Sequence, residues 1–295
     1  MQCIIEAEKL YLKDPKINRE DVKILQEWLK KQPHLPELEE SQVIIFLHSC
    51  YYSIQATKAT IDSYFTRRSL HPQLFCCPPQ ELVRENFSVG IKKILPKMTP
   101  EGYTILLTGL LDHRPEKYNY NNELLLLNLV YCLHVHKYGF AEGVIVIVDL
   151  QGGSLGHLAR VNLSSQKCMF EHLQEGMPIR LKSIHVINAV PFMDKVMALV
   201  KPLMSSKLFQ MVQIHSTLDS LYDYIPRECL PVDYGGEGPS RQAMQEEMID
   251  DIFHNVNFFN WHDLQTVDES KRVEKSNIGG SNFGAEGTFK KLEID

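Results

Sequence analysis

The residues of this chain that could do covalent chemistry gather at Gly152-Gly153-Ser154-Leu155-Gly156, a G-x-S-x-G pattern that follows the apolar run Val144 to Val148. In α/β hydrolases that spacing sets a nucleophilic serine on a sharp strand-to-helix turn. Asp194 and His215 lie downstream, so the triad order Ser, Asp, His can be written from the sequence. Two features weigh against it. That fold places several strands before its elbow, whereas only Tyr103 to Leu110 qualifies here, and no His-Gly-Gly oxyanion loop precedes Ser154. The glycines serve equally well to permit a tight strand-to-helix turn. A serine hydrolase is therefore kept as the alternative function, and the expectation is a protein with no catalytic residues.

The remaining chemical signals are weaker. The same glycines do not form G-x-G-x-x-G, and no acidic residue ends a strand some twenty positions on, which removes the dinucleotide fingerprint. His134 and His136 on a helix would point about 200° apart, poor geometry for one metal ion. The vicinal Cys76-Cys77 lacks C-x-x-C spacing. No metal and no cofactor is expected.

What the chain does concentrate is apolar surface. After Pro191, apolar residues fall at 192, 193, 196, 197, 199, 200, 203 and 204, the two-wide stripe of a 3.6-residue period. Such a helix must cover something apolar, either protein core or an oily guest. Val144, Val146 and Val148 share one strand face because alternate side chains point the same way, and Ile184 and Val186 can extend that floor. Leu126, Leu127 and Val130 lie at helical spacing beside it.

The elements that must position these residues fall into three blocks. Residues 1–78 read as a helical bundle: Asn18 and Asp21 open a helix with Val22, Leu25, Trp28 and Leu29 on one face, a second starts at Glu39 to Ser41, and a third runs from Ile54 to Tyr64. The segment His71 to Pro79, with three prolines and two cysteines, cannot continue a helix and marks a boundary. Residues 79–240 alternate: strands at Tyr103–Leu110, Gly143–Leu150, Leu181–Asn188 and Val212–His215, with helices over Asn121–His136, Ser165–Leu173 and Phe192–Leu208. That alternation predicts an α/β sheet with some parallel pairing. Residues 241–295 hold one more helix, Arg241 to Phe253, and a tail from Asp268 expected to be mobile.

Composition narrows the partners. With 295 residues, 44% of them hydrophobic, the chain can bury one large core and a satellite. A formal net charge of −6 offers no general attraction for nucleic acid, so no nucleic-acid partner is expected. Seven scattered cysteines form no disulfide framework and read as reduced core thiols. Glu6, Glu8, Lys9 and Lys13 interrupt any secretory h-region, and the longest oily run, Leu124 to Leu133, is half a bilayer span. A cytoplasmic protein is expected.

The passages VIVDLQGGSLGHLARV, PIRLKSIHVINAVPFMDKVMALVKPLMSSKL and LPVDYGG, preceded by the helical entry Leu35 to Phe75, resemble the CRAL-TRIO lipid-binding family, of the kind that includes its tocopherol and retinaldehyde carriers. The likeness covers roughly residues 20 to 240 and is most specific from Arg180 to Lys207. It implies a helical N-terminal module, a mixed sheet flanked by helices, an apolar gate helix that swings at membranes, and intracellular transfer of a tocopherol, retinoid, carotenoid or other terpenoid or lipid. A scaffold with a vestigial pocket is a further alternative. Matched onto the family pattern, the ligand-facing positions are Leu126, Val130, Val148, Leu155, Met169, Leu173, Met177, Ile184 and Val186, closed by Phe192, Val196, Leu199, Val200 and Leu203. His134, His172 and Tyr103 are candidates for polar wall groups. Where the family's tocopherol carrier has a basic patch for phosphoinositide headgroups, this chain reads Cys50, Arg180, Phe209 and Met211, with one cation among four. Arg180, Lys182 and Lys207 with the apolar Phe209 and Met211 are the candidates for transient membrane contact.

Overall fold

The computed structural model describes residues 4–273. Its centre is a five-stranded sheet in the order β1 (Gly90–Ile94), β2 (Tyr103–Leu110), β3 (Gly143–Asp149), β4 (Leu181–Ile187) and β5 (Val212–Ile214). β1 runs antiparallel to β2, and all later pairs are parallel. The mixed sheet flanked by helices is the architecture expected.

Register turns the strand alternation into two cross-sheet rows on one face. Ile94, Leu106, Val146, Ile184 and Val212 are successive partners in one row, and Lys92, Thr108, Val148, Val186 and Ile214 in the next. A bulge at Lys182 keeps the rows aligned, since Val144 pairs with Leu181 and Ile145 with Ser183. The opposite face carries Ile91, Ile105, Leu107, Ile145, Ile147 and Ile187, buried under Leu221, Ile225, Leu230, Tyr234 and Met244 from the return segment. That face is solid core.

β1 was not anticipated. Its sequence, Gly-Ile-Lys-Lys-Ile, carries two lysines and reads as exposed, yet Lys92 is buried and paired with Glu123 at 2.5 Å. Gly90 stands beside that pair because a Cβ there would overlap the Glu123 carboxylate.

The N-terminal helices Arg19–Leu29, Glu40–Ser49 and Ile54–Leu70 start where the sequence indicates. Asn18 accepts from the Glu20 amide, Glu39 and Gln42 form a capping box, and Ser53 accepts from the Ala56 amide. The proline-rich segment after them contains the short helix Pro72–Phe75, whose Leu74 and Phe75 are fully buried. Phe75 clusters with Leu124, Cys168 and Met169.

The C-terminal helices Arg241–His254 and Val256–Asp263 fold back onto both parts. Arg68 pairs with Asp263 at 3.1 Å, Gln42 donates to Gln265, and the Asp268 amide donates to the His34 carbonyl. Arg272 then grips Asp62 at 2.8 Å. The expected mobile tail from Asp268 is thus corrected over 268–273, which dock through these charge-assisted bonds; the remainder of that expectation, 274–295, lies outside the described residues. Six cysteines among the described residues are free thiols.

Several histidines are sealed in this core. Burial holds His48 and His172 at about 3 and His136 at about 4, with the Arg180 charge adding to the effect at His48 and those of Arg68 and Arg67 at His172. Each stays neutral in the fold below 6.5 while the unfolded chain takes up a proton, so stability is full above about pH 6.5 and is lost as pH falls toward 4. The expected slope is about 1.4 kcal/mol per pH unit for each such histidine. Urea unfolding at stepped pH checks this. A stability that is flat from pH 7 to 4.5 would contradict the assignment.

Candidate functional site

The helix Tyr120–Tyr138 crosses above the sheet face that carries the two rows. Beside it lies the helix Leu163–Glu171, extended by a π turn at His172–Gly176. The chain beyond β4 then closes the far side. Between these parts is a cavity of about 360 Å³. Its floor is Leu106, Thr108, Val146, Val148, Ile184, Val186 and Val212, and its wall includes Leu124, Leu127, Met169, Leu173 and Met177.

The roof is the oily helix, corrected from one kinked helix over 192–208 to three pieces. Met193–Val200 is α-helical, Lys201–Leu203 a 3₁₀ turn, and Ser206–Gln210 a separate short helix. Pro202 is the cause, since it has no N–H to continue the ladder. Phe192, Met193, Val196, Met197, Leu199, Val200 and Met204 face the cavity. Asp194 and Lys195 point outward and are exposed.

Ten of the expected ligand-facing residues therefore lie on the cavity wall: Val148, Met169, Leu173, Met177, Ile184, Val186, Phe192, Val196, Leu199 and Val200. Four do not. Leu126 and Val130 turn into the main core, because the helix that bears them is apolar nearly all round and its cavity face is Tyr120, Glu123, Leu124, Leu127 and Asn128. Leu155 opens a short surface helix and is 54% exposed, with Leu158 taking the inward position. Leu203 falls in the proline turn, and Met204 lines the wall instead.

The polar candidates are also relocated. His172 has no exposure and packs against Tyr64 and Phe75, His134 lines a second cavity of about 410 Å³ on the far side, and Tyr103 lies under Lys182 at the sheet end. The polar groups that reach the main cavity include Lys92, Thr108, Tyr118, Tyr120, Glu123, Asn128, Ser154, His157 and Gln166. Apart from Ser154, sequence reading missed them because no periodicity or motif joins them, and only register and helix rotation bring them together.

At one end of the floor the Asp149 carboxylate is buried and takes four donors. Oδ2 accepts from Tyr234 Oη and Arg241 Nη1, both at 2.6 Å, and Oδ1 accepts from Asn188 Nδ2 and the Gln151 amide, both at 2.9 Å. Asn188 has φ +49° and makes the turn that leads into the roof.

The G-x-S-x-G pattern forms the turn after β3. Gly152 has φ +78°, and a Cβ there would overlap the His113 ring. Ser154 caps the short helix Leu155–Leu158 and shares a hydrogen bond of 2.8 Å with His157 Nδ1. Among the described residues His157 Nε2 has no partner, so no carboxylate there orients this pair. The triad written from sequence does not assemble: His215 Nε2 bonds His185 and its Nδ1 bonds Ser220.

Cys132, His136 and His262 bring one ligand atom each within 4.8 Å of the others. The Arg68 guanidinium lies against both ring nitrogens of His262, and His136 Nδ1 donates to the Cys132 carbonyl. A buried cation at that spot opposes a metal ion, and the cluster is a hydrogen-bonded packing centre.

The membrane candidates separate. Arg180 is buried and donates to the His48 carbonyl at 2.8 Å, which removes it as a surface group. Lys182 is half-buried over Tyr103, Lys207 is exposed, Phe209 is half-buried under Lys201, and Met211 is half-buried. Among the described residues, no helix is long and apolar enough to cross a membrane.

A mixed sheet with an apolar cavity between its face and a broken helix defines a small-molecule-binding α/β module. The chain belongs to the CRAL/TRIO domain family, whose model matches residues 89–236, and a Pinta-like UBA domain model matches residues 14–77. It is 25% identical to alpha-tocopherol transfer protein-like of Mus musculus over 243 residues, covering 79% of this chain and 69% of that protein. It is 21% identical to Clavesin-1 of Xenopus laevis over 243 residues, covering 80% and 73%. The solved structure of Sfh5 superposes with a TM-score of 0.42 at 13% identity, over 75% of this chain and 89% of that chain.

Two outcomes are expected. Asp149→Ala leaves Arg241 without its buried carboxylate and should destabilise the fold by about 3–5 kcal/mol in urea titration; a loss below about 1 kcal/mol would show that the carboxylate is not the anchor. A fluorophosphonate probe should leave Ser154 unlabelled under conditions that label a serine hydrolase, and stoichiometric labelling lost in Ser154→Ala would establish the hydrolase instead.

Proposed function

We propose that this protein is a cytoplasmic carrier that binds a hydrophobic small molecule of the terpenoid or lipid class under the Phe192–Met211 lid and transfers it between membranes, without covalent chemistry. The observation that carries the reading is the cavity itself. Ordinary cores are packed without voids of this size, and an apolar space of about 360 Å³ falls in the range of small-molecule sites. A guest burying about 400 Å² of apolar surface gains roughly 10 kcal/mol before the cost of immobilisation, enough for tight binding with no ionic contact. The ten wall residues identified above are the contact set, with Leu106, Leu124, Leu127, Val146, Met193, Met197 and Met204 added. Methionines suit a site that must adapt to a flexible chain.

The lid supports a transfer role. Among the described residues, no side chain of Met193–Val200 makes a hydrogen bond or ion pair, and the far end is held by the Ser205 amide donating to Gln174 at 3.2 Å. Apart from that one amide bond, apolar contact keeps it closed, and a bilayer can replace that contact at little cost. Lys182, Lys207, Phe209 and Met211 border the lid and are the proposed membrane contacts. Residues 1–78 form the helical N-terminal unit in this division, 79–240 the binding unit, and 241–295 the C-terminal segment, of which residues 241–273 strap the two.

Organic extraction of the protein purified from its native source, followed by mass spectrometry, should yield an apolar molecule near one equivalent. Filling the floor with Val148→Trp should reduce that yield at least tenfold while the chain still unfolds cooperatively. A wild-type protein that is empty, and stays empty after incubation with mixed lipid vesicles, would refute the carrier.

A further inference from the structure

Two side chains on the cavity wall carry a buried polar atom with no partner among the described residues: His157, at Nε2, and Asn128, at Nδ2. They are 6% and 2% exposed. A buried donor left unpaired costs about 1–3 kcal/mol, so an unexplained pair on one apolar surface calls for a group that completes it.

The protonation of His157 follows from its neighbours. The Ser154 amide donates to Nδ1 at 3.2 Å, which makes Nδ1 an acceptor. Burial, with the nearby His113 and Arg160, lowers the pKa of the ring, so the ring is neutral at pH 7 and its single proton resides on Nε2. The Tyr118 ring meets His157 edge-on at 5.0 Å and fixes its plane. The wall thus presents an oriented N–H donor.

Charge on the same wall is already neutralised. Lys92, the one lysine or arginine lining the cavity among the described residues, is paired with Glu123. An ionised headgroup would find no free counter-charge there and would face the Glu123 carboxylate.

We propose, resting on the carrier reading above, that His157 Nε2–H and the Asn128 amide form the recognition site for an uncharged acceptor oxygen, and that the cargo is an apolar alcohol or carbonyl compound, not a hydrocarbon or an ionised acid. The oxygen accepts from these donors on the wall formed by helix Tyr120–Tyr138 and the turn after β3. The apolar remainder extends over Val146, Val148, Ile184 and Val186 toward the lid.

Equilibrium partition of phytane, phytanol and phytanic acid from vesicles into the full chain at pH 8, quantified by mass spectrometry, tests this. Phytanol should bind the wild type about tenfold more tightly than phytane or phytanic acid. His157→Phe and Asn128→Leu should each reduce the preference for phytanol over phytane about fivefold, since neither leaves an unpaired donor against the hydrocarbon. The second variant lies outside the Ser154 turn, so it tests the donor without disturbing that cap, and unchanged thermal unfolding confirms the fold. Equal binding of phytane and phytanol, a preference that survives both substitutions, or phytanic acid bound as tightly as phytanol would each overturn this inference alone. Failure of the wild type to bind any of the three would overturn the carrier reading with it.

Discussion

One buried carboxylate holds the geometry of the cavity together. Asp149 ends β3 inside the floor, and its four donors come from the following turn, from the loop after β4 and from the C-terminal return. An ionised group taken out of water must be saturated with donors, and here the saturation joins segments about ninety residues apart in sequence. Gln151 sets the glycine turn that carries Ser154 and His157. Asn188 sets the exit from which the lid departs. Tyr234 and Arg241 bring the return segment and the C-terminal helix to the same point. The floor, the polar wall and the root of the lid are therefore indexed to one atom group.

A void beneath a roof needs walls that do not collapse. The two faces of the sheet show how this is arranged: odd-numbered isoleucines of β2 and β3 are buried under the tightly packed return segment, while Leu106, Thr108, Val146 and Val148 line the cavity. Helix Tyr120–Tyr138 is anchored on its other side by the main core and on its cavity side by the Glu123–Lys92 pair, so it cannot settle onto the floor. The lid has no comparable polar tether. Rigidity is placed in the floor and wall, and freedom in the roof.

How far the site was legible differs by element. The stripe after Pro191 could be read directly, since seven of its eight apolar positions face the cavity. The floor strands were equally plain, because the short apolar run of β3 and the β-branched residues of β4 need no partner to be seen. β1 escaped because Lys92 and Lys93 mark a surface strand to any reading that cannot see Glu123 thirty-one residues on. Leu126 and Val130 were misplaced because a helix apolar on all sides carries no phase. The proline-rich stretch 71–79 breaks helices as expected, but its Leu74 and Phe75 plug the core beside the cavity wall.

Local periodicity, breakers and caps are short-range properties, and they were enough to determine the strand faces, the apolar lid, the helical N-terminal part and the family resemblance. Packing alone decided which side of the long helix looks inward, which polar groups reach the cavity and which charges cancel there. His157, Asn128, Lys92 and Glu123 meet at one wall only because strand register and helix rotation carry distant segments together. Those are long-range quantities that no window of sequence contains.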